Sequence, residues 1–175
     1  EYATSLRMSE VGYQSYHQEA LNIKYNSLNS FIESLKKGVF EEYKVFKDLG
    51  LYDDGNERQQ ISSGILQIEN ELYDSIRPKR KGASEKRPIE LLSSEGIEYV
   101  EVRGIDLSPN TLTGISKSEM RLLDVFLIHC LIKESELMSQ SEYDEMNKNY
   151  EIAIHSGSDL EQKLSFNGLE SSIRN

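Results

Sequence analysis

The sequence predicts a mixed α+β fold, with its strands in the middle of the chain and helices to either side. Three observations carry that prediction. Leu28, Phe31, Ile32 and Leu35 recur at i, i+3, i+4 and i+7, the period of one helix face. Ile97 to Arg103 alternates as a strand does, with Ile97, Tyr99, Glu101 and Arg103 on one face and Glu98, Val100 and Val102 on the other. Ser116-Lys-Ser-Glu119 and Ser139-Gln-Ser-Glu142 both have the Ser-x-x-Glu spacing of a capping box, in which serine and glutamate each satisfy a backbone N–H at a helix start.

Taken in order, residues 1–26 are rich in Tyr, Ser, Asn and Gln without a helical period, and read as an ordered loop. The first helix follows, with Asn26 or Ser27 as its N-cap and Gly38 interrupting it. A short second helix is expected over Glu41–Lys47, stopping at Gly50. Asp53-Asp54-Gly55-Asn56 is a turn cluster. Gln60–Ile68 has the partial alternation of a strand. The basic stretch Arg77–Arg87 is broken by Pro78 and Gly82 and excludes a regular helix; Pro88 then opens a short helix through Leu92, because proline suits the first helical position. After the strand Ile97–Arg103, the helix begun at Ser116 carries Met120, Leu123, Leu127, Cys130 and Leu131 and is apolar nearly all round, which predicts burial. The helix begun at Ser139 runs to about Ile154, and the polar tail over 156–175 is given no element.

Composition bounds the function. The 175 residues carry 20 Lys+Arg against 30 Asp+Glu, a formal charge of −10, which disfavours a general nucleic-acid binder because such proteins displace counterions with excess positive charge. Hydrophobic residues are 37% and mean hydropathy is −0.57, which points to long loops or to a piece of something larger. The longest apolar run, Leu122–Ile132, contains Asp124 and His129 and falls short of the roughly 20 apolar residues of a spanning helix, so no membrane partner is expected. The lone Cys130 excludes an internal disulfide and a multi-cysteine zinc site, and fits a reducing, cytoplasmic setting. The first residue is Glu1, and the chain reads as an excised segment, one partial domain over 1–175.

Familiar motifs are missing: there is no Gly-x-Gly-x-x-Gly, no phosphate-binding Gly-x4-Gly-Lys-Ser/Thr and no His-Glu-x-x-His. His17, His129 and His155 lack metal-ligand spacing; on its apolar helix His129 reads as a core histidine, and Cys130 beside it as a small core hydrophobe. Glu101 and Arg103 share a strand face with Cα atoms about 6.5–7 Å apart. That spacing suits two groups gripping one ligand, the carboxylate on a divalent metal and the guanidinium on a phosphate oxygen. On pattern alone a solvated or salt-bridged strand face is the better reading. The basic stretch could meet a phosphate or remain a solvated loop, and Tyr2, Tyr13, Tyr16 and Tyr73 could line a pocket or simply pack.

Several blocks then converge on one family. Tyr2-Ala-Thr-Ser-Leu-Arg-Met-Ser-Glu-Val-Gly-Tyr13, Leu66-Gln-Ile-Glu-Asn-Glu-Leu-Tyr73, Ile76-Arg-Pro-Lys-Arg80 and Gly96-Ile-Glu-Tyr-Val-Glu-Val-Arg-Gly-Ile-Asp-Leu107 resemble segments of proteobacterial glutamate–cysteine ligase. Arg121–Phe126 and the Met138-Ser pair resemble that family too, all in order and at near-family spacing over 1–150.

The resemblance implies an internal piece from the second half of a longer enzyme, and a glutamine-synthetase-like fold whose antiparallel active-site sheet is flanked by helices. It implies ATP-dependent ligation of the γ-carboxyl of L-glutamate to the amine of L-cysteine through an acyl phosphate, the first step of glutathione synthesis. ATP and magnesium are the implied cofactors, and the N-terminal part of the same enzyme is the implied partner. By resemblance Glu101 is a magnesium ligand, and Arg103 is the catalytic arginine on the transferred phosphoryl group, which reverses the bland reading of their strand face. Arg7 is a substrate-binding arginine, Tyr13 and Tyr73 shape the cysteine pocket, and Lys79, Arg80 and Lys81 form a basic turn near the nucleotide. The chain departs from the family at Ser108-Pro109-Asn110-Thr111, where many relatives have Asn-Pro-Phe; Gly82–Pro88 matches only in character, and the part after Ile154 does not match. A catalytically silent partner subunit and a ligase with another amine acceptor are the alternatives. Isolated, the 175 residues are expected to bind MgATP weakly and turn nothing over.

Overall fold

A computed structural model describes residues 2–13, 15–82 and 85–173; Glu1, Gln14, Ala83, Ser84, Arg174 and Asn175 lie outside it, and with them part of the basic stretch and the end of the tail. The chain divides into two units, Gln14–Gly104 and Glu1–Tyr13 with Ile105–Asn175. Helices and two small antiparallel sheets make it α+β, as expected.

The unit Gln14–Gly104 is organised around helix α1, Leu28–Phe40. Ser27 caps it: its hydroxyl oxygen accepts from the Ser30 N–H, and the Ser30 hydroxyl oxygen accepts from the Ser27 N–H, each at 3.0 Å. The predicted face is the buried one, and Phe31, Ile32, Leu35 and Val39 join Ile23, Leu66, Leu72, Ile89 and Leu92 in a single core. Gly38 does not interrupt α1. The helix runs through it, and Leu21 and Leu66 press on that position, where a Cβ would stand 3.0 Å from each side chain. A short helix α2, Lys44–Leu49, starts three residues later than predicted and ends, as predicted, at Gly50, whose φ of 79° suits glycine. Helix α3, Pro88–Glu95, packs against α1 and buries Ile89, Leu91 and Leu92.

The expected strand over Gln60–Ile68 does not form. The Gln67 amide satisfies part of its backbone instead: Gln67 Oε1 accepts from the Ile61 and Ser62 N–H groups at 2.6 and 2.9 Å, and Gln67 Nε2 donates to Ser62 O at 2.9 Å. Gln60 Nε2 donates to Gly50 O at 2.8 Å. Such local bonds compete with a ladder and hold a loop.

The sheet lies elsewhere. Strand β1, Ile76–Lys79, pairs antiparallel with β2, Tyr99–Val102, in the register Ile76–Val102, Arg77–Glu101, Pro78–Val100 and Lys79–Tyr99. Strand β2 is shorter than the predicted Ile97–Arg103, but the Arg103 N–H still donates to Ser75 O at 2.7 Å. That bond, with the alternation of an antiparallel ladder, puts Pro78 in a non-bonded pair, where its missing N–H costs no ladder bond.

In the other unit, helix α4 spans Lys117–Ile132 and α5 spans Gln140–Ser156; both start with the predicted capping box. Helix α4 departs from expectation in burial. None of its residues is buried, Leu131 is 84% exposed, and His129 and Cys130 are exposed rather than core residues. The reason is tertiary: its apolar circumference predicts a covering partner, and no described residue of this chain provides one. Helix α5 carries a hairpin, β3 Lys163–Phe166 and β4 Leu169–Ser172, which falls in the tail that had no predicted element. Its turn residues Asn167 and Gly168 have φ of 52° and 73°, the geometry of a two-residue hairpin loop. One turn of α5 holds it: the Glu145 carboxylate accepts from the Asn167 and Gly168 N–H groups at 2.9 and 3.0 Å, and Asn149 Oδ1 accepts from the Ser165 N–H at 2.9 Å. The Thr4 N–H donates to Ile154 O at 2.8 Å and fixes the start of the chain to the end of α5.

Candidate functional site

The β1–β2 register decides which side chains share a face. Arg77 and Lys79 stand opposite Glu101 and Tyr99, and Arg103 continues the same alternation one step beyond β2. On the reverse face Ile76, Pro78 and Val100 line a small apolar cleft with Leu28 and Phe31 of α1, which seats the ribbon on the core. The expectation that Glu101 and Arg103 share a strand face therefore holds, and both side chains are half-buried.

Tyr73 is half-buried in the same unit. The Arg103 guanidinium carbon lies 5.4 Å from the centre of its ring, within range of a cation–π contact. The Tyr73 N–H donates to Gln18 Oε1 at 2.9 Å. The structure thus brings Tyr73 to Arg103, and Arg103 to the face of Glu101.

Arg77, which sequence reading did not single out, is the buried cation here, at 8% exposure. Its Nη2 donates to Asn70 O at 3.0 Å and to Leu72 O. Among the described residues, Arg77 Nε is the buried side-chain polar atom without a hydrogen-bond partner. Burial pushes the guanidinium below its ordinary pKa, Arg103 adds a like charge, and Glu101 opposes both. A cleft of about 140 Å³ runs alongside, lined among others by Arg77, Lys79, Arg80, Tyr99 and Leu72.

The side chains of Arg80, Lys86 and Arg87 are tied to carboxylates. Arg80 Nε donates to Glu95 Oε2 at 3.0 Å and its Nη1 to Glu95 O at 2.7 Å, with Lys86 3.6 Å from the same carboxylate. Arg87 binds Glu69 through two bonds of 2.9 and 3.1 Å. The Lys81 N–H donates to Glu98 Oε2 at 2.8 Å.

Arg7 and Tyr13 belong to the other unit. The Asp106 carboxylate accepts from the backbone N–H groups of Leu6 and Arg7 at 3.0 and 2.8 Å, and from the Ser5 hydroxyl. The Ser5 hydroxyl chiefly holds the Asp106 carboxyl below its usual range; burial opposes it, and the Arg7 and Leu6 N–H groups and the Arg7 charge add to it. Arg7 is therefore set by Asp106, a residue inside the Gly96–Leu107 block that sequence reading passed over. Gly12 packs equally close: a Cβ there would stand 1.9 Å from Arg7 O. Tyr13 is 64% exposed, and Tyr2 and Tyr16 are exposed rather than packed.

Among the described residues, no three His, Cys, Asp or Glu side chains gather in a way that could hold a metal ion. His17 is occupied by aromatic neighbours, its ring 4.8 Å from Phe46 and its Nδ1 3.3 Å from the Tyr43 hydroxyl. No described helix is long and apolar enough to cross a membrane.

Comparison with known proteins gives this arrangement a family. A family model described as glutamate–cysteine ligase matches residues 1–153. The glutamate–cysteine ligase of Pseudomonas savastanoi pv. phaseolicola is 43% identical over 156 residues, which is 89% of this chain and 29% of that protein. The ligase of Shewanella halifaxensis is 41% identical over 172 residues, 98% of this chain and 33% of that protein. The crystal structure of glutamate–cysteine ligase from Francisella tularensis in complex with AMP superimposes with a TM-score of 0.90 at 35% identity, over 99% of this chain and 35% of that one. The chain thus spans about a third of the length of the relatives it matches, and within that span sequence and fold agree: it belongs to the glutamate–cysteine ligase family.

Proposed function

We propose that this chain acts as one partial domain of an ATP-dependent ligase that joins the γ-carboxyl of L-glutamate to the amine of L-cysteine, and that the remainder of the same enzyme completes its site. The observation that carries this reading is the grouping of Tyr73, Arg103 and Glu101 around one strand face, within a chain of that family. The AMP bound by the Francisella relative supports an adenine nucleotide as co-substrate.

The chemistry requires activation. A carboxylate oxygen is a poor leaving group, so phosphoryl transfer from ATP to the γ-carboxylate must precede attack by the amine. Glu101 would offer magnesium the hard, anionic oxygen it prefers, and the rest of the enzyme would supply the other ligands. Arg103 stabilises negative charge on the phosphoryl group in flight, an electrostatic contribution of about 10²–10³ in rate. Tyr73 walls the pocket of L-cysteine, and Arg7 pairs with a substrate carboxylate as a planar two-pronged donor. Lys79, Arg80 and Lys81 form a basic turn near the nucleotide, and Lys79 and Arg80 line the adjoining cleft.

The test is ADP release by the full-length ligase carrying this segment, with MgATP and L-glutamate, in the presence and absence of L-cysteine. Release that depends on cysteine is the expected result. Release that depends on a different amine would transfer the reading to another acceptor, and no amine-dependent release from a folded enzyme would overturn it. The 175 residues alone are expected to form no γ-glutamylcysteine.

A further inference from the structure

The segment Asn70–Tyr73 has four consecutive backbone groups bonded to only two side chains. Arg77 Nη2 donates to Asn70 O and Leu72 O, Gln18 Nε2 donates to Glu71 O at 2.9 Å, and Gln18 Oε1 accepts from the Tyr73 N–H at 2.9 Å. The peptide unit joining Leu72 to Tyr73 is therefore gripped at both ends, its oxygen by Arg77 and its nitrogen by Gln18. Each gripping side chain is itself anchored. Gln18 opens a 3-10 turn over Gln18–Leu21, with its own N–H on Ser15 O at 2.8 Å, and Arg77 is locked into β1 opposite Glu101.

Packing alone does not require this. A buried guanidinium is costly, and this one leaves its own Nε unbonded while its Nη2 serves Asn70 O and Leu72 O. What the arrangement does secure is the backbone from which the Tyr73 ring departs, and hence where that ring meets Arg103.

We infer that Gln18 and Arg77 are positioning residues that set the Tyr73 ring, and through it the width of the amine-acceptor pocket. The inference rests on the reading above that Tyr73 walls that pocket. A thiol side chain is discriminated mainly by size, so a ring displaced by about 1 Å changes acceptor binding while phosphoryl transfer continues.

Two readouts test it. In the 175-residue chain, NMR of the Arg103 Nε–H reports the ring current of Tyr73. Gln18→Leu and Arg77→Met are expected to abolish that shift, while Gln18→Glu, which keeps the acceptor for the Tyr73 N–H, retains part of it. In the full-length ligase, Gln18→Leu is expected to raise KM for L-cysteine about tenfold, leaving kcat and KM for ATP within about twofold. Partial unfolding would instead lower apparent kcat and leave KM alone. Should Arg77→Met fail to fold, Gln18→Leu decides. A folded Gln18→Leu chain with an unchanged Arg103 signal, or a full-length variant with unchanged KM for cysteine, overturns the inference. If wild-type enzyme shows no cysteine-dependent ADP release, the functional reading has failed, and the Arg103 signal alone decides whether the clamp sets Tyr73.

Discussion

Separating Arg87 from Glu69 tests what anchors the basic stretch. The two parallel bonds of 2.9 and 3.1 Å make a bidentate pair, and the Glu69 side chain is only 5% exposed while that of Arg87 is 41% exposed. Two unit charges about 4 Å apart attract by about 4 kcal/mol at an effective dielectric of about 20. Exposure of Arg87 screens that toward the ~0.2–1 kcal/mol of surface pairs, which leaves a coupling on the order of 1–2 kcal/mol. Arg87→Met costs more than the coupling, because it strands a buried carboxylate. Breaking a fully buried pair costs about 3–5 kcal/mol, and the half-open site scales this to roughly 2–3 kcal/mol. The guanidinium also sits 4.7 Å from the centre of the Phe40 ring, a contact of about 0.5–1 kcal/mol that methionine keeps only as packing. The double variant Glu69→Leu/Arg87→Met is expected to recover most of the loss, since no charge is then buried. Urea denaturation of the chain at neutral pH measures all three. A loss under about 0.5 kcal/mol for Arg87→Met, or a double variant no more stable than the single, would refute the reasoning.

Three further outcomes are expected. In the full-length ligase Arg103→Ala lowers kcat for cysteine-dependent ADP release by about 10²–10³, and Arg103→Lys restores only part because an ammonium lacks the planar fork. Gly12→Ala places a Cβ 1.9 Å from Arg7 O, where contacts under 3.0 Å essentially never occur, so the Arg7 backbone retreats by about 1 Å; steady-state kinetics should show KM for one of the two amino-acid substrates rising about tenfold or more. Asp106 has a folded pKa below its unfolded value, so its contribution to stability is complete above the ordinary aspartate range near ~3.9 and is lost as pH falls through the folded value. Asp106→Asn is accordingly less stable than wild type in urea at pH 7, and the difference closes on acidification below the ordinary range.

Local rules were sufficient where a segment's structure depends on its own residues. The periodic face of α1, the two capping boxes and the proline start of α3 are all properties of stretches under twenty residues long, and all formed. Strand β1 was not legible because its evidence is a partner more than twenty residues away, and Pro78 argued against it until the register gave its missing N–H a harmless place. The failed strand at Gln60–Ile68 shows the reverse: its alternation was real, but the Gln67 side chain took backbone bonds a ladder would have used. The shared face of Glu101 and Arg103 followed from alternation. The approach of Tyr73 to Arg103 did not, because it depends on the loop that Gln18 and Arg77 hold. Asp106 was hidden for a similar reason: its partners Ser5, Leu6 and Arg7 lie about a hundred residues earlier.

Helix α4 has a consequence of a different kind. Most helical stability in proteins comes from packing an apolar face, and a helix of about 12–15 residues in water is marginal without it. Sixteen residues long and with nothing buried, α4 stands on its Ser116 and Glu119 caps and on side-chain propensity. In this chain it is therefore expected to open more readily than α1, whose apolar face is seated on the core. Its amides should exchange hydrogen nearly as fast as those of a free peptide, while those of α1, seated on the core, exchange only through global opening.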